Sequence, residues 1–184
     1  MSLVTFNGIE SLLAAGVVRG AQQSHINAAS LDVCLGSSLF VEAPPGGSQT
    51  VVDLMGKEVP AMREIDLLKY GYFDLSPGQF CLGATLESFY LPNDLAAEYR
   101  LKSSLARAGL NAALAMWCDP GWHGSVLTLE LMNVLRYHAL RLRPGMKIGQ
   151  MLFLRGEPVP EQASYARRGS YNDDTQAQPS KGLR

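Results

Sequence analysis

Four Pro-Gly dipeptides cut this chain into short runs, and they restrict its fold more than any other feature. They lie in Pro44-Pro45-Gly46-Gly47, Ser76-Pro77-Gly78, Asp119-Pro120-Gly121-Trp122 and Arg143-Pro144-Gly145. Proline fixes φ at the second position of a turn and glycine accepts the left-handed φ that follows, so each dipeptide is a reversal of the backbone. Tyr72 to Leu75 and Gln79 to Leu86 flank one such reversal and read as a hairpin; Ala139 to Leu142 and Lys147 to Leu154 flank another. Ser30 to Leu35 and Ser38 to Val41 read as short strands divided by Gly36, with Asp32 as a buried turn-former between Leu31 and Val33. Helical signals are few. Asn7 to Gly16 has an Asn cap, Glu10 three residues on and a closing glycine, which predicts a short amphipathic helix. The stretch from Val51 to Lys69 is irregular, with a short helix near Ala61 to Leu68. Many short strands and few short helices predict an all-β fold, a distorted β-barrel or jelly-roll-like sandwich.

The chain has 184 residues and a formal net charge of −1, which suits one domain and gives no bulk basicity for a nucleic-acid polymer. The β domain is expected over residues 1–160. From Glu161 to Arg184 the chain is polar and lacks a hydrophobic period, so by composition alone it reads as a disordered tail. No apolar run has transmembrane length and the N-terminus lacks the regions of a signal peptide, so the expectation is a cytoplasmic protein without a membrane. Cys34, Cys81 and Cys118 are odd in number and set among apolar residues; they read as reduced core thiols, neither a disulfide framework nor a zinc site.

Polar chemistry is concentrated between Lys102 and Asn133. Ser103 and Ser104 are N-cap residues, Leu105 to Ala108 favours a helix of two turns at most, and Gly109 suits its C-terminal end. Arg107 lies four residues from Ser103 and three from Ser104, on the same face, so hydroxyls, guanidinium and Lys102 form either a compact anion receptor or an ordinary capped surface helix. From Val126 to Met132 the residues alternate, with Leu127, Leu129 and Leu131 on one face and Val126, Thr128, Glu130 and Met132 on the other. Glu130 is thus held on a well-anchored strand among apolar neighbours, where desolvation raises the pKa of a carboxylate and makes it a usable proton acceptor; a structural ion pair is the competing reading.

These residues carry a resemblance. Ser103 to Leu110, Asp119 to Trp122 and Thr128 to Asn133, with Leu142 to Gln150, Asn27 to Gly36 and Pro77 to Pro92, resemble, in order, the core motifs of the dCTP deaminase family. That family shares its fold with the trimeric dUTPases. The resemblance implies a homotrimer whose active sites lie between subunits, and deamination of dCTP to dUTP. Water adds at C4 of the cytosine, the ring nitrogen is protonated, and ammonia leaves. Glu130 is implied as general base then acid, with Ser103 and Arg107 holding the water and the developing amine. Lys102, Ser104, Arg107, Asp119 and Tyr171 are implied on the substrate, and Mg2+ is held mainly by the triphosphate. The His-x-Glu and Pro-Cys-x-x-Cys patterns of zinc deaminases do not occur, so the implied mechanism uses no zinc. In the family a C-terminal arm closes over the nucleotide, and Tyr171 with Pro179-Ser180 fits its spacing.

The chain departs from the family pattern in places. Lys102 stands where Arg is usual, which keeps charge but loses bidentate geometry. Asn111 to Cys118 lacks the usual His and Thr and is one residue short, whereas Gly124 to Glu130 is one residue long. Ser170 replaces a common Lys, and Asp173-Asp174 replace Gly and Gln, placing two carboxylates where they would repel a triphosphate. Two other classes stay open: a dUTPase-type or bifunctional hydrolase in which Asp119 activates water at the α-phosphate, and a non-catalytic nucleotide-binding trimer.

Overall fold

A computed structural model describes residues 1–46, 51–55, 59–112 and 115–182. The end of the expected Pro44 to Gly47 loop, and parts of the 51–69 and 111–118 stretches and of the tail, lie outside the described residues. In chain order the elements are β1 (Ser2–Leu3), α1 (Phe6–Ala14), β2 (Val18–Arg19), β3 (Leu31–Glu42), β4 (Met62–Asp66), α2 (Leu67–Tyr70), β5 (Phe73–Leu75) and β6 (Phe80–Tyr90). They continue with β7 (Leu95–Leu101), α3 (Ser103–Arg107), β8 (Leu110–Ala112), β9 (Trp117–Cys118), β10 (His123–Asn133), β11 (Leu140–Leu142), β12 (Lys147–Arg155) and α4 (Tyr165–Arg168). Among the described residues ten strands form one sheet along the path β8-β10-β6-β3-β12-β7-β9, with β1 on β12, β2 on β6 and β4 on β3; β5 and β11 pair separately. The protein is all-β with a few short helices, the class its turns predict.

Strand β3 joins two layers. Its first residues, Leu31 to Cys34, pair with β12, and Ser38 to Glu42 pair with β4. Gly36 does not divide it into two strands, as its sequence suggests, but lets it pass close to β6: a Cβ there would stand 3.2 Å from the Ala84 carbonyl oxygen. The core lies between the layers and includes Leu31, Val33, Leu39, Leu129, Leu131, Met151 and Phe153, each at most 1% exposed. Alternation on these strands aims every second side chain into this space, which is the main source of stability.

Several local expectations are corrected. The Pro-Gly turns form, with φ of 74° at Gly78 and 76° at Gly145, but neither makes a hairpin of its flanking strands. β5 pairs instead with β11, locked by Arg141, whose guanidinium donates to both Asp74 carboxylate oxygens at 2.7 Å and sits 3.8 Å over the Tyr72 ring. β6 runs between β3 and β10, and β12 between β3 and β7. The helix near Ala61 to Leu68 is a strand, β4, followed by a one-turn helix capped by Asp66, which accepts from the Leu68 and Lys69 amides. Helix α1 begins after Thr5, with Asn7 in its first turn and no side-chain cap.

Asp32 is a strand residue, not a turn-former. Its side chain is 5% exposed and accepts from Lys102 Nζ at 2.7 Å, Asn27 Nδ2 at 2.9 Å and Lys147 Nζ at 3.0 Å. Burial pushes its pKa up, but hydrogen bonds from Lys102, Asn27 and Lys147 outweigh that and hold the carboxyl below the usual range. The network ties the start of α3 to β3 and β12. Asn133, fully buried, performs a similar task at the end of β10: its Nδ2 donates to the Leu75 and His138 carbonyls at 2.9 Å, and its Oδ1 accepts from the Leu135 amide. Each such group left unpaired in the interior would cost about 1–3 kcal/mol, so Asn133 fixes the direction in which the chain leaves the site strand.

The composition-based reading of the tail as disordered is also corrected. Residues 171–178 run along β10, where the Asp173 amide donates to the His123 carbonyl, the Val126 amide to the Asp174 carbonyl and the Gln178 amide to Thr128 Oγ1. Trp122 Nε1 donates to the Tyr171 carbonyl at 2.6 Å, and Ala177 is fully buried beside Leu82 and Ala84. The tail covers a stretch of β10 that β8 does not reach, because β8 pairs only with Leu131 to Asn133. Among the described residues no helix is long and apolar enough to cross a membrane.

Candidate active site

The face of β10 that turns away from the core forms the floor of a cavity of about 500 Å³. Leu129 and Leu131 point inward and Val126, Thr128 and Glu130 line the cavity, but Leu127, expected on the buried face, is half-buried and lines the cavity too, at the register shift between Val126 and Thr128. The strand is irregular just before Glu130: its register against β6 shifts between His123 and Ser125 and again between Val126 and Thr128. The first shift places one extra residue on β10, at Gly124, and the second places two extra residues on β6, between Ala84 and Ser88, both upstream of the carboxylate. Gly124, with φ of 71°, makes the first of them possible.

Apolar walls come from Phe80 and Leu82 of β6 and from Trp117 and Trp122, the latter stacked on Phe89 with ring centroids 5.4 Å apart. Burial among these groups pushes Glu130 above the usual carboxylate range, and its own backbone amide offsets this only in part. Among the described residues Glu130 forms no ion pair, so the competing ion-pair reading has no partner there. Cys118, which also lines the cavity, is pushed up to about 12 by burial, Asp119 and Glu130; its thiol stays protonated and is no nucleophile at neutral pH.

Of the residues singled out in the sequence, Glu130, Asp119 and Tyr171 meet in this cavity. Asp119 accepts from Trp117 Nε1 at 2.8 Å, and Pro179 and Ser180 close the same wall as Tyr171. Lys102, Ser103, Ser104 and Arg107 do not line it. Lys102 precedes α3, and neither serine acts as the cap; Ser103, Ser104 and Arg107 are exposed on the short helix. Lys102 is engaged with Asp32 instead of standing free. The two tail carboxylates also differ from expectation: Asp174 lines the cavity but is paired with Lys181 at 3.1 Å, while Asp173 turns to solvent at φ of 59°, 4.0 Å from His123. Trp117, Trp122, Thr128 and Gln178 join the site without being expected there; the sequence signal for the tryptophans is two indoles within six positions beside the Asp119 turn, and for Thr128 its place on the Glu130 face.

No lysine or arginine among the described residues lines the cavity, which has Asp119, Glu130 and Asp174 instead. Like charges repel, so among the described residues one chain's cavity suits an uncharged group against the indoles better than an anion.

Residues 6–156 match the family described as dCTP deaminase-like. A "dCTP deaminase, dUMP-forming" of Methanoculleus marisnigri is 36% identical over 149 residues, covering 80% of this chain and 76% of that protein. The protein of the same name from Leifsonia xyli subsp. xyli is 38% identical over 152 residues, with coverage of 80% and 74%. The solved 2'-deoxycytidine 5'-triphosphate deaminase from Agrobacterium tumefaciens has the same fold, with a TM-score of 0.65 at 23% identity over 84% of this chain. The chain spans about half the length of that solved protein, 48%. By the match over residues 6–156 and the two relatives, the chain belongs to the dCTP deaminase-like family.

Proposed function

We propose that this protein deaminates dCTP, with Glu130 as the group that moves the protons. The observation that carries the reading is one carboxylate, raised in pKa and without an ion-pair partner among the described residues, on the floor of an aromatic cavity sized for a pyrimidine nucleoside. Glu130 takes a proton from the water that adds at C4, delivers it to the ring nitrogen, and assists departure of ammonia. Trp117 and Trp122 hold the ring by its faces and exclude bulk water. Ser103 and Arg107 hold the water and the developing amine, and Ser104, Arg107 and Lys102 take the phosphates. Because α3 lies outside its own chain's cavity, these groups reach it from a neighbouring copy, in a homotrimer. Were Mg2+ to bind with the triphosphate, Asp119 at the cavity wall, with Asp174 once released from Lys181, would offer it oxygen donors, and the ion would supply neutralisation of phosphate charge.

Asp119 supports a second reading, in which dUTP made by deamination goes on to dUMP. Its carboxylate lies in the same cavity as Glu130, and both cited relatives are named dUMP-forming. Separation of the nucleotides after incubation with dCTP and Mg2+ distinguishes the cases. Deamination alone leaves dUTP; the bifunctional reaction leaves dUMP and pyrophosphate. If dCTP is untouched while supplied dUTP is hydrolysed, the protein is a dUTPase and the Glu130 mechanism is wrong; if neither changes, the non-catalytic trimer is the better account.

A further inference from the structure

From the juxtaposition of His25, Cys34 and Glu87 we infer a binding site for a zinc-type divalent metal ion, separate from the nucleotide cavity and independent of the deaminase reading. Their ligand atoms, one ring nitrogen, one thiol sulfur and one carboxylate oxygen, all lie within 4.8 Å of one another. Around a tetrahedral zinc, with bonds of about 2.0–2.3 Å, ligand atoms stand about 3.5 Å apart, so the three are gathered to within small side-chain rotations of a coordination shell. None of the three lines the nucleotide cavity.

The second observation is that two of the three are stranded. Glu87 is 0% exposed; its Oε2 accepts from the Cys34 amide at 3.0 Å, while Oε1 has no hydrogen-bond partner. His25 Nδ1 is likewise buried and without a partner. Among the described residues these are the only such side-chain atoms, and both belong to this cluster. Leaving a buried polar atom unpaired costs about 1–3 kcal/mol, and a metal ion removes that penalty at both. The amide bond on Oε2 also orients the carboxylate so that its free oxygen faces the other ligands, the service a supporting hydrogen bond gives a metal ligand.

Charge and donor type agree. Imidazole, thiolate and carboxylate form a donor set that zinc accepts, with a fourth position for water. On binding, the Cys34 thiol gives its proton to solvent, and thiolate plus carboxylate balance the dication, leaving no net buried charge. Lys147, Asp32 and Lys102 are the other charged groups that act on His25; both lysines pair with the one Asp32 carboxylate, which leaves one net positive charge beside it. His25 belongs to a short 3-10 turn over Gln23–His25 and is half-buried, which gives an ion its route in.

The test uses the full chain with Co2+ as a spectroscopic stand-in, then Zn2+ with metal counted by mass spectrometry. The wild type should show a thiolate-to-cobalt charge-transfer band and retain about one zinc per chain after removal of excess ion. Cys34→Ser should lose the band, and His25→Ala should weaken zinc binding about tenfold or more. A wild type with neither band nor retained zinc would overturn the site, as would a Cys34→Ser protein that keeps both. The wild-type cobalt spectrum stands on its own if a variant fails to fold.

Discussion

Glu130→Gln is expected to lower kcat for dCTP roughly 10²-fold or more while nucleotide binding stays near the wild-type value. Glutamine keeps the shape of the side chain and a hydrogen-bonding group, so the ring still meets its partners, but it cannot accept a proton from water. Structure and reaction can be told apart by the sign of the stability change. Burial raises the pKa of Glu130 in the folded protein, so the ionised carboxylate opposes folding at pH above its unfolded value. Removing that charge should leave the thermal midpoint at neutral pH unchanged or higher. A variant that loses both activity and stability would mark Glu130 as a structural residue.

Mixing Glu130→Gln with Arg107→Ala should restore activity that neither variant has alone. If each site takes Glu130 from one copy and Arg107 from the next, every mixed trimer contains one interface where both are intact. Random assembly from equal amounts then recovers about a quarter of the wild-type sites. The structural basis is that Glu130 lines the cavity of its own chain whereas the residues of α3 do not. Arg107→Ala should also differ from Glu130→Gln in weakening nucleotide binding, because it removes phosphate charge. Absence of recovery after mixing, with trimers present by sedimentation, would mean that both residues act from one chain.

The features legible in the sequence are those set by neighbours in the chain. The Pro-Gly turns form because φ at Gly78 and Gly145 is a local matter, and the alternation that sets Glu130 opposite Leu129 and Leu131 is a property of any strand with one face buried. Pairing is not local. Nothing around Ser76 to Gly78 says that β5 leaves its neighbour to join β11, since the Arg141–Asp74 lock spans 67 positions. β4 does not read as a strand in the sequence because Ile65 is its only buried residue, and the charged residues around it follow no strand alternation strongly enough to show it.

The tail escaped composition for a related reason. It is ordered by amides and carbonyls meeting the edge of β10, and a polar sequence supplies those as well as any other. Among its described residues only Ser164 and Ala177 are buried, and only Ala177 is apolar. Its course also changes the meaning of Asp173-Asp174, because backbone pairing at Asp174 brings Lys181 onto one carboxylate and sends the other to solvent. His25, Cys34 and Glu87 have no motif spacing: the pairing of β3 with β6, shifted in register between Leu35 and Leu39, brings Cys34 and Glu87 together, and the 3-10 turn adds His25.

The most direct test of the account is ammonia release from dCTP with Mg2+, measured as kcat/KM across pH. Glu130 must be ionised to take the proton, and its pKa is raised, so the rate should climb through an apparent pKa above the ordinary glutamate value of about 4.3. The Glu130→Gln protein should lack that limb at its low residual rate. Ammonia release with the same acid limb in wild type and variant, or no ammonia at any pH, would contradict the assignment of Glu130 and with it the proposed reaction.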